Sequence, residues 1–175
     1  IFDLSHTLAA PLLETYEYPY EAIPQIGDFI KSLFPTLDDS YEEIKEGVFV
    51  AKDAKIWENV TIVAPAIIGH RTEVRPGAFI RGKVLVGDDA VIGNSTELKN
   101  CILFDSVQVP HYNYVGDSIL GYFSHMGAGS ITSNVKSDKK LVVVHNGDEH
   151  IETGVKKFGA MVGDYVEVGC NAVLN

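Results

Sequence analysis

An aliphatic side chain recurs at every sixth position through the middle of the chain. Steps of six from Val50 meet only apolar residues, namely Val50, Ile56, Ile62, Ile68, Val74, Ile80, Val86, Ile92, Leu98 and Phe104. Four residues after the first nine of these, most side chains are small or β-branched, namely Ala54, Val60, Ala66, Thr72, Ala78, Val84, Ala90, Thr96 and Ile102. A helix repeats at about 3.6 residues and a strand at about 2, so neither gives this period. The pattern predicts short strands joined by turns around a narrow prism.

The six-residue period slips after Phe104 and returns twice. It resumes at Leu120 and Met126, and again at Val162, Val168 and Leu174. Two irregular stretches separate these runs, "VPHYNYVGDS" at 109–118 and a polar, charged segment at 133–160. We expect 133–160 to form a loop or hairpin inserted into the prism, and long loops on a regular scaffold often hold functional residues.

Residues 1–46 lack the six-residue period. The stretch "EAIPQIGDFIKSLF" at 21–34 has apolar residues at helical spacing, and Pro24 suits a first helical turn. The stretch "SYEEI" at 40–44 has the Ser-x-x-Glu capping box that is typical of a helix start. We expect residues 1–46 to form a helical cap over the first coil, without catalytic groups, and residues 47–175 to form the solenoid.

The composition of the chain limits which binding partners and which cellular compartment it fits. The net charge of −10 argues against nucleic acid or an anionic membrane as the main partner, because both require a basic surface. No apolar run is long enough to span a membrane. Two cysteines, Cys101 and Cys170, suggest free thiols in a reducing, cytoplasmic compartment. The chain starts at Ile1 and stops at Asn175 within the repeat, so we expect a piece of a longer protein.

Five stretches in fixed order resemble one family. They are "VRPGA" at 74–78, "IGNSTELKN" at 92–100, "HYNYVGDS" at 111–118, "MGAGSITSN" at 126–134 and "KKFGAMVGDYVEVG" at 156–169. The set is similar to the hexapeptide-repeat acyltransferases, in particular the acetyltransferase domain of the bifunctional N-acetylglucosamine-1-phosphate uridyltransferases. The resemblance implies an all-β fold, a single-stranded left-handed parallel β-helix with a small helical N-terminal cap. It also implies a homotrimer with sites between subunits.

The same resemblance implies a reaction and roles for individual residues. The family transfers an acetyl group from acetyl-CoA to an amino-sugar phosphate, glucosamine-1-phosphate, in the biosynthesis of UDP-N-acetylglucosamine. His111 matches the catalytic base and Asn134 a residue near the acetyl group. The substrate-binding positions are Arg75, Lys99, Tyr114, His125 and Lys157, and the positions beside acetyl-CoA are Ala128 and Cys170. The chain departs from the family pattern at His125, Val135 and Cys170, where the family usually has Asn, Tyr and Ser.

The implied roles are chemically reasonable. An imidazole with a pKa of about 6.5 accepts a proton from an attacking amine at neutral pH. A glycine-rich turn such as Gly127–Ala128–Gly129 exposes backbone N–H groups that stabilise an oxyanion. Arg75 and Lys99 are 24 residues apart, or one coil and one face, which allows a common phosphate cleft on neighbouring coils or across a subunit boundary.

Simpler interpretations remain open for each residue. For His111 the simpler alternative to a catalytic base is a surface loop histidine. Arg75 and Lys99 are equally compatible with solvated charges, and Tyr114 with a packed ring. His125 also fits a core or interface position, and Cys170 a small coil residue.

Two other functions are compatible with the sequence. One is a non-catalytic trimerising or regulatory module of a sugar-phosphate nucleotidyltransferase, suggested by the departures and the insertion. The other is a zinc site of three histidines, drawn from His70, His111, His125, His145 and His150.

Overall fold

The computed structural model describes all residues, 1–175. The helices lie in the first 36 residues and are short. Two are α-helices, α1 (Ala10–Leu13) and α2 (Ile26–Leu33), and three are 3-10 helices, at Leu4–His6, Pro19–Gln25 and Phe34–Thr36. No helix has both the length and the apolar character that crossing a bilayer requires.

The rest of the chain is built from short strands. In chain order they are β1 (Tyr41–Lys45), β2 (Val48–Ala51), β3 (Lys55–Ile56), β4 (Thr61–Ile62), β5 (Ala66–Ile68), β6 (Glu73–Val74), β7 (Phe79–Ile80), β8 (Val84–Val86), β9 (Val91–Asn94), β10 (Glu97–Leu103), β11 (Gln108–His111), β12 (Tyr114–Leu120), β13 (His125–Met126), β14 (Ile131–Thr132), β15 (Val143–Asn146), β16 (Glu149–Glu152), β17 (Met161–Val162), β18 (Glu167–Val168) and β19 (Val173–Leu174).

These strands stack into three parallel ladders that form the faces of a prism. Face 1 contains β2, β5, β8, the second halves of β10 and β12, and β17. Face 2 contains β3, β6, β9, β11, β13 and β18. Face 3 contains β4, β7, the first halves of β10 and β12, β14 and β19. The structure therefore confirms the parallel β-helix that the six-residue period predicts.

The interior of the prism is formed by the periodic residues. Nine of the ten side chains at the six-residue spacing are buried, and Ile56 in the first coil is partly buried. The small or β-branched side chains four residues after the aliphatic ones are also buried in the middle coils, since Ala66, Thr72 and Ala78 are at most 1% exposed. Each fully buried aliphatic side chain contributes about 1.5–3 kcal/mol to stability, so the stack of coils is the main source of stability.

Coil length explains why the period slips. The register of face 1 steps by 18 residues from Val48 to Ala66 and from Ala66 to Val84. It steps by 17 from Val84 to Cys101 and from Cys101 to Ser118, because the later coils are one residue shorter. The last step, from Ile119 to Met161, is 42 residues long because it includes the β15–β16 antiparallel hairpin.

Each corner of the prism has a residue in the left-handed backbone region at successive coils. Between faces 1 and 2 these are Arg71, Asp89, Ser106, Phe123 and Tyr165. Between faces 2 and 3 they include Ser95, Tyr112, Gly129 and Asn171, and between faces 3 and 1 they include Lys83, Asn100 and Asp117. We call the last two corners the His111 corner and the Asp117 corner. This repeated conformation turns the chain sharply at each corner, so that each coil stacks on the one before it.

The "SYEEI" stretch is a strand, so the prediction of a helix start there is wrong. Ser40 donates its backbone N–H to Asp38 at 2.9 Å in a turn. Tyr41–Lys45 then pairs antiparallel with β2. The reason is the adjacent "EGVFV" sequence: Gly47, at φ 71°, closes a hairpin whose second strand is the buried edge of the first coil. Pairing with that edge satisfies backbone groups that a separate helix would leave open.

The N-terminal helices lie against the side of the solenoid. Ile26 and Ile30 of α2 are fully buried and belong to the same core cluster as the prism interior. Asn100 at the Asp117 corner reaches the Ile23 carbonyl at 3.4 Å. The edge of the first coil is instead covered by β1. The expected position of the helices over that edge is therefore wrong, because the hairpin already occupies it.

Candidate functional site

His111 lies at the end of β11, where the chain turns from face 2 to face 3. Its side chain is exposed, and the imidazole has no hydrogen bond or ion pair with another residue. The His111 carbonyl accepts the Gly129 N–H at 2.9 Å, and the Ala128 carbonyl accepts the Asn171 N–H at 2.9 Å. These bonds place His111, Ala128 and Cys170 in one column on successive coils. Three of the sequence-predicted site residues therefore share the His111 corner.

Asn113 fixes the backbone of this corner, although no sequence motif assigned it a role. It is 2% exposed, and its side-chain oxygen accepts the His111 N–H at 3.0 Å. Its amide group donates to the Gly127 carbonyl at 2.9 Å and to the Ser130 carbonyl at 3.1 Å. Burial of a polar side chain is costly unless all its groups are bonded, so Asn113 holds His111 and the glycine-rich turn together.

The glycine-rich turn offers fewer free donors than its sequence suggests. The Gly127 N–H is bonded to the Val168 carbonyl at 2.8 Å, and the Gly129 N–H is bonded to the His111 carbonyl. Only the Ala128 N–H is outside the backbone ladder. The expectation that the whole turn exposes N–H groups is wrong, because the coil-to-coil ladder uses two of the three.

A second group of candidate residues surrounds Asp117 at the next corner. The Asp117 side chain is 2% exposed and accepts the Lys99 ammonium at 3.0 Å. It also accepts the side-chain amides of Asn100 at 2.8 Å and Asn134 at 2.6 Å. The Asn134 amide further contacts the Tyr114 hydroxyl at 3.1 Å. Lys99 and Asn134 thus meet at a buried carboxylate that the sequence did not single out, and Tyr114 joins them through Asn134.

Asn134 does not lie beside His111 within one chain. Face 3 separates the two corners, and the five residue steps from Tyr112 to Asp117 span at most about 16 Å at about 3.3 Å per residue. The two residues that the resemblance placed in the catalytic centre therefore belong to opposite ends of one face.

Arg75 and His125 do not join either group, whereas Lys157 lies in the cleft beside Lys99 and Asp117. Arg75 is paired with Glu73 at 3.0 Å, and His125 is hydrogen-bonded to Glu167 at 2.7 Å. Lys157 is exposed after the inserted hairpin. The Trp57 indole and the Arg75 guanidinium both bond to Glu73 and lower the pKa of that carboxyl.

Arg75 and Lys99 do not share a cleft on neighbouring coils. Arg75 lies near the His111 corner, two coils before His111, whereas Lys99 lies at the Asp117 corner. The residue next to Lys99 in the stack is Arg81, whose N–H donates to the Leu98 carbonyl at 2.8 Å. A spacing of 18 residues, one full coil, was the sequence signal that could have identified Arg81. A cleft across a subunit boundary stays a prediction.

Lys99 and Arg81 line a polar cleft of about 520 Å³ at the Asp117 corner, which we call the basic cleft. Its other cationic walls are Lys83, Lys156 and Lys157, and the N-terminal segment closes it with Ile23 and Pro24. A larger cleft of about 940 Å³ lies between the hairpin and the N-terminal segment and is mainly apolar.

The cysteines and histidines show no second reactive centre. Burial raises the pKa of the Cys101 thiol, which keeps it protonated, whereas Cys170 is exposed. His70 bonds to Asp53 at 2.9 Å, and His145 and His150 contact each other across the hairpin at 2.6 Å. No group of three His, Cys, Asp or Glu side chains is arranged to hold a metal ion.

Comparisons with known proteins place this geometry in a family. The family model described as "GMPPB C-terminal domain" matches residues 62–175. The bifunctional protein GlmU of Methanococcus aeolicus is 37% identical over 149 residues, covering 75% of this chain and 36% of that protein. The bifunctional sugar-1-phosphate nucleotidylyltransferase/acetyltransferase of Sulfurisphaera tokodaii is 32% identical over 132 residues, covering 75% of this chain and 33% of that protein.

A hexapeptide transferase family protein of known structure from Anaplasma phagocytophilum has a TM-score of 0.47 and 19% identity, covering 73% of this chain and 70% of its own. The chain spans about a third of the length of the two curated relatives. The family match itself covers most of the solenoid, including both corners described above. The chain belongs to the GMPPB C-terminal domain family.

Proposed function

We propose that the chain is an acetyl-CoA-dependent N-acetyltransferase whose acceptor is an amino-sugar phosphate, with glucosamine-1-phosphate the first candidate. The proposal places it in the supply of UDP-N-acetylglucosamine. The observation that carries it is the exposed, unpaired imidazole of His111 in one column with Ala128 and Cys170. The name of the Sulfurisphaera relative, which joins a sugar-1-phosphate nucleotidylyltransferase and an acetyltransferase, supports the same assignment.

In the proposed reaction, the amine of the acceptor attacks the thioester carbonyl of acetyl-CoA. The C–N bond forms, the C–S bond breaks, and coenzyme A leaves as a thiol. His111 takes the amine proton, which an imidazole does efficiently near neutral pH, and passes it to the departing sulfur. The Ala128 N–H, which the backbone ladder leaves free, is the donor we assign to the oxyanion of the tetrahedral intermediate.

The acceptor contacts require two subunits in this proposal. The His111 and Asp117 corners lie at opposite ends of face 3, up to about 16 Å apart along the chain, which is longer than a monosaccharide phosphate. We therefore propose a homotrimer in which the His111 corner of one subunit faces the Asp117 corner of its neighbour. Lys99, Tyr114 and Asn134 would then approach the acceptor, with Lys157 nearby, and Arg75 and His125 would act from the His111 side.

The experiment is release of coenzyme A thiol from acetyl-CoA with glucosamine-1-phosphate, followed with a thiol reagent after the two native cysteines have been changed to Ser. We expect His111→Ala to lower kcat/KM by about 10²–10⁴, the usual contribution of a general base. His150→Ala, on the exposed hairpin, is the matched control and should retain activity. No turnover with a panel of amino-sugar phosphates, or full activity in His111→Ala, would contradict the proposal.

A further inference from the structure

Two histidines of the inserted hairpin face each other across its two strands. His145 of β15 lies directly opposite His150 of β16 in the antiparallel register, and both side chains are exposed. Residues directly opposite each other place their Cβ atoms about 4.5–5.5 Å apart on one face of the strand pair. The hairpin backbone therefore brings the two imidazoles together, at a place that the proposed reaction does not use.

The contact between the two side chains is made by ring nitrogens. The two Nδ1 atoms are 2.6 Å apart, and the rings are nearly perpendicular, with an interplanar angle of 87°. A neutral imidazole has one N–H donor and one nitrogen that accepts. One Nδ1 therefore donates its proton to the lone pair of the other, and a second proton between them would set two N–H groups against each other.

The surroundings of this pair differ from those of most other histidines in the chain. His6, His70 and His125 each lie beside a carboxylate, which favours the protonated, cationic ring. Neither hairpin imidazole has a carboxylate partner, and each bonds only to the other. Because a histidine binds a metal ion in its neutral form, the hairpin is the place where two rings of the suitable form converge.

Two converging imidazole nitrogens suit a divalent transition-metal ion. Imidazole is a preferred ligand of zinc, copper and nickel, whereas carboxylates and carbonyls suit magnesium and calcium. Zn–N distances of about 2.0–2.1 Å in a tetrahedral site place two ligand nitrogens about 3.3 Å apart. The observed separation of 2.6 Å is within about 1 Å of that value, and exposed side chains can make such an adjustment by rotating.

We propose that His145 and His150 form a two-imidazole site for a divalent transition-metal ion, with Zn²⁺ the first candidate. The ion replaces the proton between the two Nδ1 atoms, and water completes its coordination. Because each strand supplies one ligand, the ion cross-links β15 and β16, and a two-stranded hairpin is only marginally stable by itself. Val143, Val144 and Ile151 of the same hairpin line the cleft of about 940 Å³, so the cross-link also fixes that wall. The proposal does not depend on acetyl transfer.

The test is titration calorimetry of the metal-free whole chain with Zn²⁺, in excess Mg²⁺ so that sites built of oxygen ligands are already occupied. We expect His145→Ala and His150→Ala each to weaken Zn²⁺ binding at least about tenfold, since losing even an outer partner of a metal ligand costs about 10–100-fold. Asn146→Ala is the matched control and should bind like the native chain. Its side chain belongs to the other face of the hairpin, because side chains alternate along a strand. No Zn²⁺ binding, or equal affinity in the native chain and both histidine variants, would overturn the proposal.

Amide hydrogen exchange tests the cross-link between the two strands separately. Zn²⁺ should slow exchange of the β15 and β16 amide protons in the native chain and not in His150→Ala, because an ion that binds only the paired hairpin opposes its local opening. The amide protons of β5 and β8 in the solenoid should be unaffected in both chains. Hairpin exchange that Zn²⁺ leaves unchanged, or slows equally in both chains, would place the ion elsewhere and contradict the proposed site.

Discussion

At the scale of single residues, Asp117 links three coils to the N-terminal segment. Its carboxylate accepts bonds from Lys99, Asn100 and Asn134, and Asn100 reaches on to the Ile23 carbonyl. A buried ion pair adds little net stability when intact, but removing one partner leaves an uncompensated charge. Asp117 is therefore important for positioning the candidate substrate residues as well as for stability.

Replacing Asp117 with Asn should lower the free energy of unfolding by about 2–3 kcal/mol, because Lys99 loses its counter-ion and the three donors lose part of their acceptor. Urea unfolding measures the difference. Asp138→Asn is the control, since its ion pair with Lys136 is exposed, and it should show no measurable change. A native-like midpoint for Asp117→Asn would show that the network is dispensable.

Asp105 is predicted to make the folded chain less stable as the pH rises. Burial raises the pKa of its carboxyl above the ordinary 3.8. An acid with a raised folded-state pKa binds its proton more tightly when folded, so stability falls as pH rises from 3.8 through the folded value. The ionised carboxylate is therefore a cost at neutral pH, although its oxygen accepts the Asp88 N–H at 2.8 Å.

Asp105→Asn keeps that acceptor and removes the charge. We expect a higher melting temperature than the native chain at pH 7, with the difference disappearing below about pH 3.8. Circular dichroism melts across this range measure it, with the exposed Asp28→Asn as a reference. A gain that is as large at pH 3 as at pH 7 would exclude the proposed cause.

The sequence could indicate the residue types at the site but not their partners. His111, Ala128 and Cys170 share a corner because whole coils separate them, which the resemblance implied. Glu167, in contrast, reaches His125 across 42 residues of sequence, so the contact depends on where the hairpin is inserted. Side-chain partners across coils follow from exact coil length, which the six-residue period does not reveal once a coil shortens to 17.

At the scale of elements, strands on face 2 approach each other too closely for side chains at certain positions. A Cβ on Gly93 would lie 1.6 Å from the Pro110 carbonyl oxygen. Gly169, on a later coil of the same column, has no atom within 4 Å of the same position. The two glycines therefore occupy the same place in the repeat, but only Gly93 has backbone atoms of a neighbouring coil packed against it.

Gly93→Ala should destabilise the chain by about 2 kcal/mol or more, since the backbone before His111 must move to admit the methyl group. Gly169→Ala should stay within about 1 kcal/mol of the native chain. Denaturant midpoints of the two variants provide the comparison. Equal midpoints would contradict the close packing of β9 on β11.

The elements themselves differ in how well the sequence predicts them. The prism was predictable because its interior admits only aliphatic and small side chains at two fixed positions per face. The "SYEEI" strand was not, because its local capping signal favours a helix while pairing with β2 depends on a contact that only the folded coil provides. Local propensity was overridden there by an available strand edge.

At the scale of the whole molecule, the two candidate corners define the functional unit. The His111 corner has an unpaired imidazole and one free backbone donor, and the Asp117 corner has the cationic groups. One chain keeps them at opposite ends of face 3, and the proposed trimer would bring them together between subunits. The resemblance implied such an arrangement, whereas the six-residue period alone shows only the scaffold.

The most direct measurement of the central claim is a crystal structure of the chain with coenzyme A. We expect the coenzyme thiol within hydrogen-bond reach of His111, with the pantetheine arm along Ala128 and Cys170 and the Asp117 corner of a neighbouring subunit opposite. Coenzyme A bound with its thiol away from His111, or no coenzyme A at saturating concentration, would contradict it.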